Sequence, residues 1–405
     1  EIRLSLVGSE MCIRDSPGVG RLAGFLTGWM YWYFWVIVVA LEAVAGADLV
    51  RYWLPDVPNW SISLVLLVML TLTNLVSVKS FGEFEFWFAS IKVAAIVVFL
   101  FVAGVYVLGL TPASQGMHFG NLTGNGGFMP NGIVPVLTGA VAATGFYFGA
   151  EIVTIAAAET AEPQKAVAKA TSSVITRVLV FYVGSIFLVA CLVPWNAVGI
   201  ATPYVSALNT MGVPAAAQIM NAIVLTAVLS ALNSGLYASS RMLFALTRRG
   251  DAPQALAKVS RNGVPTRAIL VATVFGYGAV VMSYVSPDKV FAFLVNSYGT
   301  VAIFVYILIA ISQLRLRSRL EREAPHLLKV RMWCYPYLTW FAIFGMLSIV
   351  IAMAFIPEQR TPLALGVASL CILLLAYGVR QLLQRGVAPV VSSLSEAAQP
   401  EPQKY

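Results

Sequence analysis

LAGFLTGWMYWYFWVIVVALEAVAGADL, residues 22–49, is the stretch that decides the fold of this chain. It is almost entirely apolar, and its only charged residues are Glu42 and, near its far end, Asp48. An α-helix needs about 20 such residues to cross a hydrocarbon core that is roughly 30 Å thick. The stretch therefore predicts a transmembrane helix that is long enough to tilt or to extend into the interface.

Further stretches of similar length and composition follow along the chain. They span residues 62–78, 84–110, 134–158, 171–193, 217–241, 269–285, 290–314, 336–355 and 363–383. Hydrophobic residues make up 59% of the sequence and charged residues 11%, whereas a water-soluble domain carries about 25% charged residues. The sequence therefore predicts an all-α polytopic membrane protein with about ten transmembrane helices.

The Lys and Arg residues fall almost entirely at alternate gaps between the apolar stretches. The remaining gaps contain only Arg51, Lys289 and Arg360. Because positively charged loops stay in the cytoplasm, this alternation predicts a multi-pass protein of the bacterial cytoplasmic (inner) membrane, with both ends of the chain on the cytoplasmic side. The net charge of +8 belongs to helix ends that face one compartment, so we expect no nucleic-acid partner.

The two ends of the chain differ from the apolar region between them. Residues 1–16, EIRLSLVGSEMCIRDS, resemble neither a signal peptide nor a membrane span, and we expect them to be a non-native leader. Residues 17–383 form the predicted transmembrane domain. Residues 384–405 are rich in Ser, Ala, Pro and Gln, which predicts a disordered cytoplasmic tail.

Residues that hold metals or carry out catalysis are few and scattered. The 4 cysteines have no metal-ligand spacing. The histidines, His118 and His326, lie in loops that are predicted to be on opposite sides of the membrane. We therefore expect no metal, no cofactor and no enzymatic activity.

Three charged residues inside the predicted spans are functional candidates, because an ionisable group in hydrocarbon is costly. Lys92 lies about 12 Å and Glu151 roughly 10 Å from the cytoplasmic ends of their spans, so these two groups could pair or exchange a proton. Alternatively, Lys92 extends to the headgroups and Glu151 binds backbone amides at a helix break. Glu42, in the outer half of the first span, is equally compatible with a helix–helix hydrogen bond.

Glycines in the fourth span point to an interrupted helix. Gly145 and Gly149 bracket three aromatic residues just before Glu151. A helix broken at mid-membrane exposes backbone carbonyls and amides, which secondary transporters use to hold substrate and coupling ions. Glycine also marks close helix packing, so a break and a packing contact both remain open.

Polar residues of the sixth span follow the period of one helical face. They are Ser230, Asn233, Ser234, Tyr237 and Arg241, at i, i+3, i+4, i+7 and i+11. A polar stripe that faced lipid would be costly, so we expect it to face other helices or an aqueous path. The spacing does not distinguish packing contacts from cavity lining.

Four runs of the sequence resemble one group of transporters. They are GEFEFWFASIKVAAI (82–96), GAEIVTIAAAETAEPQKAVAKATSSVITRVLVFYVGSIF (149–187), LNSGLYASSRMLFALTRRGDAP (232–253) and ISQLRLR (311–317). These runs are similar to bacterial amino-acid permeases of the amino acid-polyamine-organocation superfamily. EIVTIAAAE and SQLRLR are most similar to the 4-aminobutyrate (GABA) permeases of that group. The resemblance extends from about residue 18 to residue 383.

The resemblance implies a twelve-helix fold of the leucine-transporter type. In such a fold two sets of five helices form an inverted repeat, and the first and sixth helices unwind around the substrate. Matched in order, this chain corresponds to helices three to twelve. We therefore expect an N-terminally truncated sequence that lacks the first two helices and part of the binding site.

The resemblance also implies roles for particular residues. The substrate-binding segment would be the unwound sixth helix, which comprises Phe146, Tyr147, Phe148, Gly149, Ala150 and Glu151. Lys92 matches a lysine that replaces a sodium ion in proton-coupled relatives, and we expect Lys92 and Glu151 to carry the proton. Four further residues are expected to line the cavity near that position. They are Glu42, Ser230, Asn233 and Ser234.

The chain departs from the pattern of the resembled group at the start of this segment. Relatives usually have Phe and then Ser where this chain has Gly145 and Phe146. We expect the larger Phe146 to narrow the pocket, which bears on the preference for GABA.

The predicted function is secondary active, proton-coupled uptake of an amino acid, with GABA or a related small amino acid preferred. The alternatives within the same class are a permease for proline, for aromatic or for small neutral amino acids, and an amino-acid exchanger. A passive channel or a sensor is the alternative from another class. A sensor would be expected to add a soluble output domain, which the short tail does not provide.

Overall fold

The computed structural model describes most of the apolar region of the chain. The described residues are 20–76, 78–112, 114, 119–144, 149, 169, 173–197, 202–260, 263–323, 325, 332 and 334–385. The predicted leader (1–16) lies outside them, as do residues 386–405 of the predicted tail. Five of the six residues predicted to bind substrate also lie outside them. These are Phe146, Tyr147, Phe148, Ala150 and Glu151.

The described residues are mostly helical. In chain order the helices are α1 (Arg21–Arg51), α2 (Asn59–Val76), α3 (Val78–Val107), α4 (Gly120–Thr123), α5 (Val134–Thr144), α6 (Gly184–Leu192), α7 (Pro203–Thr210), α8 (Ala216–Arg248), α9 (Thr266–Val285), α10 (Pro287–Glu323), α11 (Tyr337–Phe355) and α12 (Pro357–Arg385). A π-helical turn, Val178–Val183, leads into α6, and a 3₁₀ turn, Gln254–Ala257, follows α8.

Within the described part of the chain, 9 helical segments are long and apolar enough to cross a membrane. They are α1 to α3, the segment Ser173–Leu192 that ends with α6, and α8 to α12. These helices confirm the predicted all-α, membrane-spanning class. The remaining predicted span, 134–158, begins with α5 at the predicted residue, and most of its continuation lies outside the described residues.

Proline marks the start of three helices. Pro203 begins α7, Pro287 begins α10 and Pro357 begins α12. The first helical position suits proline, because its φ is already near the helical value and the N–H that it lacks would have no intrahelical partner there. These residues therefore fix where each helix begins, and α10 and α12 each follow the preceding helix after a single residue.

Helix α8 is longer than the sequence predicts. It continues to Arg248, beyond the predicted end at residue 241, and Arg241 itself is buried, with 4% of its surface exposed. The Arg241 guanidinium lies 3.9 Å from the centroid of the Tyr237 ring, a cation–π contact that reduces the cost of burying the charge. The helix therefore continues past Arg241, the residue at which the hydropathy pattern predicted the end of the span.

Helix α1 lies at the centre of the described bundle. It packs against α2, α8, α9, α10 and α12, and 61% of its most apolar window is buried. By contrast, the corresponding windows of α11 and α12 are only 17% and 6% buried, so their apolar side chains are left to face lipid. Polar groups that are buried near α1 and α8 are therefore enclosed by protein.

Candidate functional site

The buried lysine of α3 contacts the polar face of α8. The Lys92 ammonium donates a hydrogen bond to the Ser230 hydroxyl, with 2.7 Å between Nζ and Oγ. Lys92 is half-buried, and Ser230 is 1% exposed. The side chain thus reaches a neighbouring helix. The structure brings together two residues that the sequence analysis selected from different spans.

A carboxylate on the same face of α3 completes this contact. The Ser230 hydroxyl donates to Glu85 Oε1 at 2.6 Å, and the Asn233 amide donates to Glu85 Oε2 at 3.4 Å. Glu85 lies seven residues before Lys92, which is close to two full helical turns, so the two side chains share a face. Ser230 therefore bonds to both ends of an acid–base pair.

The sequence analysis missed Glu85 because it lies beside the predicted start of its span, where charged residues are common at the membrane interface. A signal for it exists in the sequence. A Glu and a Lys spaced i, i+7 on one apolar helix lie on one face, and a neighbouring helix with hydroxyl and amide groups at i and i+3 offers partners for both. To use that signal one must know that α3 and α8 are neighbours, which the structure shows and a single sequence does not.

A buried asparagine of α2 extends the network. Asn74 is 1% exposed, and its Nδ2 donates to Asn233 Oδ1 at 2.9 Å and to the Leu70 carbonyl at 2.9 Å. Asn74 Oδ1 accepts no hydrogen bond from any described residue. Hydrogen bonds thus link α2, α3 and α8 through side chains, and Asn74 is a second member that the sequence analysis missed.

Glu42 of α1 adds a second carboxylate near the lysine. Glu42 is half-buried, and its carboxylate interacts electrostatically with the Lys92 ammonium. Glu85 does the same from α3. When all three groups are ionised, the site holds one more negative than positive charge. Such a site attracts an additional cation or proton.

The rest of the predicted polar stripe also faces protein. Asn233, Tyr237 and Arg241 are buried, and Arg241 donates to the Ser240 hydroxyl at 3.0 Å. Ser234 lies next to Asn233 on α8 and is partly exposed. The stripe therefore packs against neighbouring helices along most of its length, as its cost in lipid requires.

Gly149 is the one described residue of the predicted substrate-binding segment. Its φ is +110°, a backbone conformation that belongs to no right-handed helix and that glycine adopts readily. A Cβ at this position would lie 3.6 Å from Cη2 of Trp35 on α1. A regular helix therefore does not pass through Gly149, and the backbone here lies against the central helix.

The described residues contain no group of three or more His, Cys, Asp or Glu side chains that could hold a metal ion. The charged groups that meet at this site are Lys92 and the carboxylates of Glu42 and Glu85, and hydroxyl and amide side chains of α8 bond to Lys92 and Glu85. Amine and carboxylate groups of this kind can take up and release protons, and carboxylates attract cations.

A bundle of membrane-spanning helices that encloses such groups is typical of membrane transport proteins, because ionisable residues are otherwise excluded from the bilayer. The family profile described as "Amino acid permease" matches residues 16–382. The chain belongs to the amino acid permease family.

Individual relatives agree with this assignment. The chain is 53% identical over 360 residues to the gamma-aminobutyric acid permease of Bacillus subtilis. The aligned residues cover 89% of this chain and 77% of that relative. The chain is 45% identical over 344 residues to the gamma-aminobutyric acid permease of Escherichia coli, covering 84% and 74%. It is 39% identical over 324 residues to an aromatic amino acid transport protein of Corynebacterium glutamicum, covering 79% and 70%.

These findings confirm the resemblance that the sequence motifs indicated. The protein is a multi-pass membrane protein that transports a small amino acid, and it is not an enzyme.

Proposed function

We propose that the protein is a proton-coupled secondary active transporter that takes up GABA or a related small amino acid across the bacterial cytoplasmic membrane. Both ends of the chain would lie in the cytoplasm, in agreement with the positive charges at alternate gaps. The observation that carries the proposal is the Lys92 ammonium, bonded to Ser230 and flanked by the carboxylates of Glu42 and Glu85.

This arrangement suits a proton carrier. Away from water the charged form of an amine is disfavoured, while nearby carboxylates favour it. Small changes in its surroundings, such as the opening of the site to one side of the membrane, therefore change whether Lys92 holds its proton. A group whose protonation depends on conformation can couple a proton to the alternating access of a carrier.

The substrate would bind beside this site. In our proposal the segment 146–151 holds the amino acid, with Gly149 allowing its backbone to turn away from a regular helix. Glu151 would then act with Lys92 in proton coupling, and Glu42 and Ser234 would line the cavity. Backbone groups freed at such an interruption bind the charged ends of a zwitterion.

GABA is the preferred substrate in this proposal because the two relatives at 53% and 45% identity are gamma-aminobutyric acid permeases. The relative at 39% identity is an aromatic amino acid transport protein, so an aromatic substrate is the second candidate. Phe146, which stands where relatives usually have Ser, would narrow the pocket, and a competition assay between the two substrates tests which of them fits.

Uptake by the purified full-length protein in proteoliposomes tests this proposal. An imposed gradient, acidic outside, should drive labelled GABA above its external concentration, and a protonophore should abolish that accumulation. Unlabelled GABA should compete more strongly than unlabelled proline, phenylalanine or alanine. Equilibration without accumulation would indicate a passive pore, and stronger competition by phenylalanine would favour the aromatic alternative.

A further inference from the structure

An unbroken chain of hydrogen bonds runs from Lys92 to Glu85. The Lys92 ammonium donates to Ser230 Oγ at 2.7 Å, and the same hydroxyl donates to Glu85 Oε1 at 2.6 Å. A hydroxyl group can accept one proton and release another at the same time. Ser230 thus connects a proton donor to a proton acceptor without an intervening water molecule.

The backbones of the two residues that this chain joins lie at different depths, although one hydroxyl contacts both side chains. Glu85 lies near the start of α3 (Val78–Val107), and Lys92 lies two turns further along, which is about 10 Å along the axis. Because helical side chains point back toward the N-terminus of the helix, Lys92 extends toward Glu85. In the proposed orientation the start of α3 is its cytoplasmic end, so the Glu85 backbone lies closer to the cytoplasm than the Lys92 backbone.

Glu85 is held in place at both of its oxygens. Ser230 bonds one oxygen and Asn233 the other, and Asn233 is in turn bonded by Asn74. Ser230, Asn233 and Asn74 are each between 0% and 1% exposed. A surface ion pair contributes little to stability, partly because both side chains must be ordered to form it. Here the side chains that bind Glu85 are already held by packing.

We propose that Glu85 is the proton-relay residue through which Lys92 is discharged toward the cytoplasm. This inference rests on the proposed function and goes beyond it, because it names the route of the proton. The Lys92 N–H bond breaks, its electron pair stays on nitrogen, and the proton bonds to Ser230 Oγ. The original Ser230 O–H bond breaks, and that proton bonds to Glu85 Oε1. A neutral amine and a carboxylic acid result, and the acid then releases its proton to water.

The transfer needs no large movement of the heavy atoms, because Ser230 Oγ lies 2.7 Å from Lys92 Nζ and 2.6 Å from Glu85 Oε1. Among the residues that the structure describes, Glu85 is the carboxylate that the Ser230 hydroxyl connects to Lys92 toward the cytoplasmic end.

The alternative is that Glu85 only ties α3 to α8. The two roles predict different kinetics. A relay is needed for net uptake, because the empty carrier must lose its proton before it returns. It is not needed when labelled substrate exchanges for unlabelled substrate with the proton still bound. Loss of a structural tie would impair both processes.

The test compares gradient-driven accumulation of GABA with GABA–GABA exchange in proteoliposomes of the full-length protein. Glu85→Gln keeps an acceptor for Ser230 but cannot be protonated, and it should lower accumulation by about tenfold or more while exchange stays near the wild-type rate. Glu85→Asp should restore much of the accumulation. Glu83→Gln, at an exposed position on the same helix, is the matched control and should resemble the wild type.

Two further variants keep the test decisive if Glu85→Gln fails to reach the membrane. Ser230→Ala removes the bridging hydroxyl, and Ser230→Thr retains it. The relay predicts that accumulation is lost in the first and kept in the second. Wild-type accumulation by Glu85→Gln or Ser230→Ala, or a parallel loss of exchange, overturns the relay while the proposed function stands. Absence of gradient-driven accumulation in the wild-type protein would contradict both the relay and the proposed function.

Discussion

Gly235 of α8 lies directly against Val39 of α1. A Cβ built on this glycine would come within 2.9 Å of Val39 Cγ2 and 3.3 Å of Trp35 Cε3. The absence of a side chain therefore lets the two most closely packed helices approach each other, as small residues do at other helix interfaces in membranes. The same approach brings the polar face of α8 to the centre of the bundle.

We expect Gly235→Ala to destabilise the protein by about 1–3 kcal/mol, because the added methyl group overpacks the interface of α8 with α1. Thermal unfolding in detergent measures this effect. Gly278→Ala, in α9, is the control, since a Cβ there meets no atom within 4 Å. Equal melting temperatures for the two variants would contradict the close approach of α1 and α8.

Gly149→Ala should reduce transport and cost about 1–3 kcal/mol, because a residue with a Cβ is strained at a φ of +110°. Uptake rate and melting temperature are measured together. Gly139→Ala on α5 is the control, since an added Cβ there meets no atom within 4 Å and its backbone is helical. If Gly149→Ala resembles this control in both measurements, the turn at Gly149 is not needed.

Asn74→Ala should cost about 1–3 kcal/mol, because Asn233 loses the buried donor that holds its carbonyl oxygen. The double variant with Asn233→Ala should lose less stability than the sum of the two single losses, since both substitutions remove the same hydrogen bond between Asn74 and Asn233. Thermal or denaturant unfolding of the four proteins in the cycle gives these values. Additive losses would show that the two amides do not interact.

Asp251 provides a contrast between buried and exposed ion pairs. Its side chain is 6% exposed, and it pairs with Arg380 of α12 and with Arg249 at 3.4 Å. We expect Asp251→Asn to cost about 1–3 kcal/mol, because the side chains of Arg249 and Arg380, 17% and 27% exposed, lose the carboxylate that pairs with them. Glu323→Gln, which removes an exposed pair with Arg319, should change the melting temperature little. Similar shifts in the two variants would argue against this difference in burial.

Hydropathy and charge alone predicted the class of fold and nine of the spans that the structure describes. In lipid a backbone must satisfy its hydrogen bonds internally, so a long apolar stretch of this kind forms a helix. They did not predict where helices end. Helix α10 continues to Glu323, nine residues beyond the prediction, since pairs such as Arg317–Glu321 at 3.0 Å support a helix in water.

The candidate site was only partly predictable. Lys92 and Ser230 were identified separately, from a charge in an apolar span and from a polar helical face. Glu85 and Asn74 were missed, because their importance depends on which helices are neighbours. A single sequence gives the period of each helix but not the partner of each face, and the hydrogen bonds among α2, α3 and α8 exist only once those partners are set.

The most direct test of the central claim is the accumulation of labelled GABA by Lys92→Ala under an inward proton gradient, with GABA–GABA exchange measured in the same vesicles. Lys289→Ala, an exposed lysine at the start of α10, is the control. Our account predicts that Lys92→Ala loses accumulation and retains exchange, while the control retains both. Wild-type accumulation by Lys92→Ala would contradict the account, because the buried amine would then play no part in moving the proton.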